Sequence, residues 1–527
     1  MSIRFLGERG GNAAVLLGMA AAGLLLRLAF PPYGLYPAAM AAFAVFFLLL
    51  NRARRPFAAG LAFHASFSLF LCSFLWTALH GHFHVGIVPS AAFLLVFAGL
   101  LPGLFFAVYA IYAQKVMAGE QAVADFASAR RASNAAAAGF VLAEFLRTLL
   151  SPEGLWGHLA SIYAVEPGIL HLASVMGAAG LSFVTVRVAA LLALALRAPR
   201  RLSARLLALA AATCAVIFWV GTKIPVPAAG QGVAAVLAHP AIVQEERWDS
   251  RFNQVHLARY TDMSRSAAFP QGGAARLLVW PETALTYFFA DDAESRAALA
   301  KLAREKDAWI LIGAPSRDEA AGRIATHNSV YLLDPAGRVR GRYDKNRLLP
   351  FAESPRWGLS VGGRLHEPYS AGASLEILRL TDPSGRVLAS LGAAICFEVA
   401  DPAHVRRLTR AGADVLVNLA NDAWFGGSSE SAQQLSLLAL NCAQYGVAGI
   451  RATGYGVSAF VDATGRIASK TGITEQTALS GLVRPPVGPK TLEARFPGWF
   501  VLLCAVMILV YVLRDRIRGG RERGDLL

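Results

Sequence analysis

Residues 388–398 read LASLGAAICFE, eight short and mostly apolar residues from Leu388 to Ile395 and then a cysteine. A charge-free run of that length, closed by Cys396, fits a buried strand that presents a reactive group at its end. Similar runs occur at Gly232 to Ala238, Arg276 to Trp280, Trp309 to Gly313, Ser329 to Leu333 and Val415 to Leu419. Ala/Leu-rich helical stretches alternate with them, and Pro335-Ala336-Gly337 and Ala463-Thr464-Gly465 read as turns after strands. The pattern predicts stacked α/β layers over residues 223–495.

Outside that region the chain changes character. Of 527 residues, 55% are hydrophobic and 16% charged, with a mean hydropathy of +0.46, too apolar for an ordinary soluble enzyme. Runs long enough to cross about 30 Å of hydrocarbon fall at 12–28, 34–50, 57–79, 87–114, 134–150, 168–196, 203–222 and 498–514. The reading is a polytopic membrane domain of about seven helices over 1–222, a water-exposed domain over 223–495, and a final helix with a basic tail over 496–527.

The net charge of +15 does not form a nucleic-acid face, because its cations sit in short clusters beside apolar runs. Arg4 and Arg9, then Arg52, Arg54 and Arg55, then Lys115, Arg130 and Arg131, then Arg197, Arg200, Arg201 and Arg205 all fall on one side. The tail residues Arg514, Arg516, Arg518, Arg521 and Arg523 join them. Positive residues mark the cytoplasmic face, so the large domain is expected outside the cytoplasm. Cys72, Cys214 and Cys504 lie in predicted spans, which leaves Cys396 and Cys442 for the water-exposed domain and implies no disulfide framework.

Three polar residues close apolar strand-like runs: Glu282, Lys345 and Cys396. A cysteine attacks as thiolate and needs a base or a nearby cation. A glutamate can take the thiol proton and later that of an incoming amine, while a lysine and a backbone N–H near Phe397 can hold a tetrahedral oxyanion. Taken singly, Cys396 reads as a small buried hydrophobe, Glu282 as a helix cap and Lys345 as a turn residue. Their motifs alter that reading. Val279-Trp280-Pro281-Glu282, then Tyr343-Asp344-Lys345 with Leu349-Pro350-Phe351-Ala352-Glu353, then Ile395-Cys396-Phe397-Glu398 resemble, in the same order, the Glu, Lys and Cys signatures of the nitrilase superfamily. With eight spans and a domain between the seventh and eighth, the chain is most similar to the apolipoprotein N-acyltransferase family.

That resemblance implies an αββα sandwich outside the inner membrane, on the periplasmic side. It implies a Glu282, Lys345 and Cys396 triad, with Glu353 supporting Lys345, Glu398 buttressing the cysteine loop, and Trp248 and Trp424 near the acyl-binding cleft. The implied reaction moves an acyl chain from a phospholipid to a diacylated lipoprotein, by way of a thioester. No cofactor, metal or nucleic acid is called for, and a monomer in the bilayer is expected. Ile242, Gln244, Asn328-Ser329, Gly412-Ala413-Asp414 and Asn421-Asp422-Ala423 extend the likeness.

The chain also departs from the family pattern. Glu430 to Gln434 and Asn441 to Gln444 stand where the family shows a Pro, a Gln-His pair, an Arg and a Glu. Gly454 stands in place of an Asn, Gly154-Leu155-Trp156 in place of a Gly-Phe-Pro-Trp stretch, and His239 where a Gln is common. These departures motivate one alternative, a paralogue that acylates another amine or hydrolyses an amide; a second, from a different class, is a non-catalytic lipid- or lipoprotein-binding scaffold, against which the intact Glu282, Lys345 and Cys396 set argues. Three smaller expectations complete the reading. His80-Gly81-His82-Phe83-His84 lacks a neighbouring acid or thiol and reads as a wet loop, not a metal site. Glu144 and Arg147 read as a pair. The arm from Glu353 to Gly372, with Pro355, Gly358, Gly362, Gly363 and Pro368, has the composition of a gate.

Overall fold

The computed structural model describes residues 12–151, 155–320, 323–356, 358, 360, 369–488 and 490–524. Arg4, Arg9, Gly154, Gly362, Gly363 and Pro368 lie outside the described residues. The chain forms two compact units: one from Met1–Ser73, Val88–Ile224 and Phe496–Leu527, the other from Phe74–Ile87 and Pro225–Arg495.

The first unit is helical. Among the described residues Ile87–Met117, Ala173–Ala195 and Arg200–Lys223 are long and apolar enough to cross a membrane, and Asn12–Arg27, Pro37–Leu50 and Trp499–Arg514 are shorter apolar helices. Small residues allow close approach: a Cβ on Gly23 would lie 2.2 Å from the Phe63 carbonyl oxygen, and one on Gly221 2.0 Å from that of Gly168. The expected span 57–79 is interrupted, because its helix Pro56–Leu71 ends before Phe74–Trp76 and Thr77–His82 begin. The expected span 168–196 likewise divides into Pro167–Leu170 and Ala173–Ala195, and Gly177 within the latter has φ +64°. Glu144 and Arg147 turn to different hydrogen-bond partners instead of to each other. Glu144 accepts from Leu159 N and Ser182 Oγ, both at 2.7 Å, while Arg147 Nη1 donates to Trp156 O at 2.7 Å. The backbone groups of the 155–159 turn need partners once buried, and these two side chains supply them.

The second unit holds two six-stranded sheets. The strands of these two sheets are β1 Gly232–His239, β2 Gly273–Val279, β3 Trp309–Ala320, β4 Arg323–Leu333, β5 Val339–Asp344, β6 Ile377–Thr381, β7 Val387–Ile395, β8 Val415–Ala420, β9 Ala448–Thr453, β10 Ala459–Val461, β11 Ile467–Lys470 and β12 Thr477–Val483, and Ala228–Ala229 pairs separately with Pro486–Val487. One sheet runs β12-β1-β2-β3-β4-β5 and the other β11-β10-β9-β8-β7-β6. Strands β1, β2 and β3 are mutually parallel, as are β7, β8 and β9, and the flanking pairs are antiparallel. Helices Asn253–Ser266 and Ala293–Lys306 cover the first sheet through Leu257, Tyr260, Leu299 and Leu302. Pro402–Arg410 and Glu430–Tyr445 cover the second, where Leu408 meets Gly392 and Cys442 meets Gly449. The inner faces touch where Phe460 packs on Gly481 and Leu378 on Gly341. The order is therefore helix, sheet, sheet, helix.

The parallel strands are buried on both faces toward their carboxyl ends, as in Leu277–Val279 of β2 and Leu391–Ile395 of β7, and those stretches read as unbroken apolar runs. Their carboxyl ends, where open α/β sheets leave room for ligands, carry Glu282 after β2, Cys396 after β7 and Asn421 after β8. The histidine-bearing stretch is helical up to His82, and His82 and Phe83 pack on Trp424, with ring centroids 5.3 Å and 4.9 Å away, while Gly81 and His84 are exposed as a wet segment would be.

Candidate active site

Cys396 follows β7 directly and opens a short 3-10 turn, Cys396–Ala400, with φ +54°. Left-handed backbone is costly for a side chain with a Cβ and persists only where surroundings hold it. Thr283, beside Glu282, has φ +44°, and Phe351, two residues before Glu353, has φ +69°. Strain thus gathers at the ends of all three motifs.

The Glu398 carboxylate holds the cysteine turn. It is fully buried and accepts from Ile395 N, Asn346 N and Arg347 N, each at 2.8 Å, and from the Tyr343 hydroxyl at 2.9 and 3.0 Å. One side chain therefore ties the loop bearing Cys396 to the loop bearing Lys345. Asn418 adds a tether through Nδ2, which donates to Cys396 O at 2.9 Å.

Lys345 is 1% exposed. Its Nζ lies 2.9 Å from Glu353 Oε1, 2.8 Å from Glu353 Oε2 and 3.6 Å from Glu282 Oε1. Asn328 Nδ2 donates to both acids, at 2.8 Å to Glu282 Oε1 and 3.0 Å to Glu353 Oε1. Asn421 N donates to Glu282 Oε2 at 2.9 Å, which fixes the second oxygen. The Phe397 ring lies 5.5 Å from the ammonium.

Burial pushes the Cys396 thiol well above its ordinary value; the Glu282 charge adds to this and Lys345 opposes it. Burial also raises Glu282, with Lys345 pulling it back. Burial alone would lower Lys345, but Glu353 and Glu282 outweigh it and hold the ammonium charged far into alkali. The resting thiol is therefore neutral, and a carboxylate poised to accept a proton stands in the same cavity.

That cavity, of about 50 Å³, is lined by Glu282, Lys345, Glu353 and Cys396, with Trp248, Trp424 and Phe425 on its apolar side. The three motif residues, Glu353 and both tryptophans thus come together in one chamber, while Glu398 lies behind it. With its amide oxygen turned to the indoles, Gln244 accepts from Trp248 Nε1 at 2.8 Å and Trp424 Nε1 at 3.0 Å. Asn328 is a site residue that the strand pattern did not single out, although a polar side chain in the run before Val330 is its signal. Tyr369, also lining the cavity, carries no sequence signal at all.

On the far side of the thiol, Gln434 Nε2 lies 4.0 Å from Cys396 Sγ and donates to Glu430. Arg451 donates to Gln434 Oε1 at 2.8 Å, to Asp422 Oδ2 at 2.7 Å and to Asn418. Glu430 and Gln434 thus belong to a buried network behind the cysteine, while Asn441 bonds elsewhere, to Val399 O. Asp318, His327 and Asp344 also cluster, but Arg342 bridges the two aspartates at 2.6 and 2.9 Å and supplies a cation there.

The sheet order and this chamber define a class, which the family models match: carbon-nitrogen hydrolase over residues 234–485, and the N-terminal domain of apolipoprotein N-acyltransferase over residues 22–191. Two relatives extend the likeness over nearly the whole chain. The apolipoprotein N-acyltransferase of Geobacter metallireducens is 30% identical over 504 residues, 92% of this chain and 91% of that protein. That of Sinorhizobium medicae is 31% identical over 471 residues, 84% and 85% of the two chains. The chain belongs to the apolipoprotein N-acyltransferase family.

Proposed function

We propose that this chain transfers a fatty acyl group from a membrane phospholipid to the N-terminal amine of a diacylated lipoprotein cysteine, through a thioester on Cys396. The observation that carries the reading is the shared chamber of Glu282, Lys345 and Cys396, in a chain of this family.

In the first half-reaction Glu282 takes the Cys396 proton, and the thiolate attacks the sn-1 ester carbonyl carbon. Lys345 Nζ, with a backbone N–H near Phe397, holds the oxyanion. The tetrahedral adduct collapses to the thioester, and Glu282 returns its proton to the departing lysophospholipid oxygen. In the second, the lipoprotein α-amine attacks the thioester carbonyl, Glu282 accepts the amine proton, and the C–S bond breaks to give the amide as Glu282 passes that proton to the leaving Cys396 sulfur, restoring the free enzyme. Glu353 and Glu398 position Lys345 and the cysteine turn. Trp248 and Trp424 face the acyl chain.

The topology that fits this chemistry is eight spans, seven within 1–222 and one within 496–527, with residues 223–495 on the periplasmic face of the inner membrane. The placement of the cationic clusters supports that orientation. Membrane anchorage confines enzyme and donor to one leaflet, which lowers the entropic cost of their meeting.

The test is intact mass after mixing the full chain with phospholipid vesicles and no acceptor. A gain of one acyl chain, removed by hydroxylamine and absent in Cys396→Ala, is expected. An acylated Cys396→Ala protein would contradict the reading.

A further inference from the structure

The least expected group beside the chamber is Arg247. It closes the short helix Gln244–Arg247, is 2% exposed, and sends Nη1 to three acceptors: Glu282 O at 3.0 Å, Thr283 O at 2.8 Å and Thr283 Oγ1 at 3.3 Å. These flank the one peptide whose left-handed turn aims the Glu282 side chain, since Thr283 has φ +44° and is β-branched. Such a turn needs outside support. On its other side β3 closes in, because a Cβ on Gly313 would lie 2.4 Å from Pro281 O and 2.7 Å from Thr283 N. The turn is clamped between a strand and a guanidinium.

The guanidinium has its place because residue 454 is glycine. A Cβ there would lie 1.9 Å from Arg247 Nη2 and 3.2 Å from its Cζ. Gly454 does not have the left-handed φ that by itself would demand glycine, so the requirement is space. Its carbonyl accepts from Ile242 N at 3.0 Å, fixing the two segments to each other. The space beside Gly454 is thus filled by a side chain from 207 residues earlier.

Arg247 is costly as a stabilising element. Beyond Nη1, the guanidinium has the Tyr260 hydroxyl beside it but no second well-formed hydrogen bond among the described residues, and a buried, partly satisfied cation loses more in desolvation than an apolar side chain of that size would. Its contacts go to the base-bearing turn, and its charge favours the ionised form of Glu282.

We infer that Arg247 is the positioning residue of Glu282, holding the 282–283 turn so that the carboxylate faces Cys396, and that Gly454 is the space that admits it. This rests on reading Glu282 as the base for Cys396.

The test reads the base directly, apart from any lipid or lipoprotein: the rate at which iodoacetamide alkylates Cys396 in the full chain, followed by peptide mass across pH, with Cys396→Ala giving the background. Arg247→Gln is expected to slow alkylation near neutrality by about 10²-fold, the usual loss for a misplaced group, and to move the acid limb of the profile to higher pH. Arg247→Lys, which keeps the charge and a donor, recovers at least part of that loss. Gly454→Ala slows alkylation as much as Arg247→Gln, and the double variant is no slower than either single one, because both remove the same contact. Circular dichroism keeps the comparison to folded variants, and Arg247→Lys and Gly454→Ala carry it if Arg247→Gln unfolds. Alkylation of folded Arg247→Gln or Gly454→Ala at the parent rate and pH midpoint would overturn the inference, as would losses that multiply in the double variant. Absence of acyl transfer in the parent protein would count against the proposed function and leave these rates readable.

Discussion

Lys345 gives its closest contacts to Glu353, at 2.8 and 2.9 Å, and stands 3.6 Å from Glu282. The closer pair keeps the ammonium from closing fully on Glu282, whose oxygens each accept one bond, from Asn328 and Asn421, and keep a further lone pair for the thiol proton in the proposed reaction. Glu353→Gln removes the competitor and lets Lys345 collapse onto Glu282. Single-turnover thioester formation is expected to fall by about 10²-fold, with the apparent phospholipid affinity nearly unchanged. An unchanged acylation rate would contradict this division of roles.

The pH dependence follows from the same contacts. Glu282 works as a base only when ionised, and burial raises its titration above the ordinary carboxylate range. Acylation is therefore full above that raised midpoint and is lost as pH falls through it. Lys345 is held charged well beyond its ordinary range, so no alkaline loss should appear near pH ~10, the unperturbed lysine value. Rapid-quench thioester yields across pH check both limbs, and a falling limb below pH ~9 would count against the Lys345 assignment.

Glu398 is a stability element more than a chemical one. Glu398→Ala leaves the N–H groups of Ile395, Asn346 and Arg347 and the Tyr343 hydroxyl without their buried acceptor. Each such loss costs about 1–3 kcal/mol, so unfolding of the second unit should weaken by at least ~3 kcal/mol. Denaturant midpoints of the full chain in detergent measure it, and a shift below ~1 kcal/mol would show that the turn is held elsewhere.

The two chamber tryptophans depend on one amide. Gln244→Leu removes the acceptor that both indole N–H groups share and loosens the hold on the rings. The KM for the acyl donor should rise about 10-fold, the equivalent of one or two hydrogen bonds, with kcat changed less. Steady-state transfer at varied phospholipid content reads the two separately.

Much of this was legible in the chain. Val387–Ile395 and Val415–Ala420 match the apolar runs within a residue or two, because central parallel strands are buried on both faces over most of their length. The hairpin of β3 and β4 extends beyond its runs to Ala320 and Arg323, since Ser316, Arg317 and Asp318 pair through backbone bonds that hydropathy does not record. The break after Leu71 was hidden because Phe74-Leu75-Trp76 is as apolar as the helix before it. Arg247 and Gly454 were unreadable as a pair, because each looks ordinary alone and only the fold brings them together.

The most direct measurement is the mass of a synthetic diacylated lipopeptide after incubation with the full chain and phospholipid vesicles, beside the Cys396→Ala variant. The account predicts a gain of one acyl chain that appears only with the intact cysteine. No gain with a folded protein that still forms the Cys396 thioester, or an equal gain with Cys396→Ala, would contradict it.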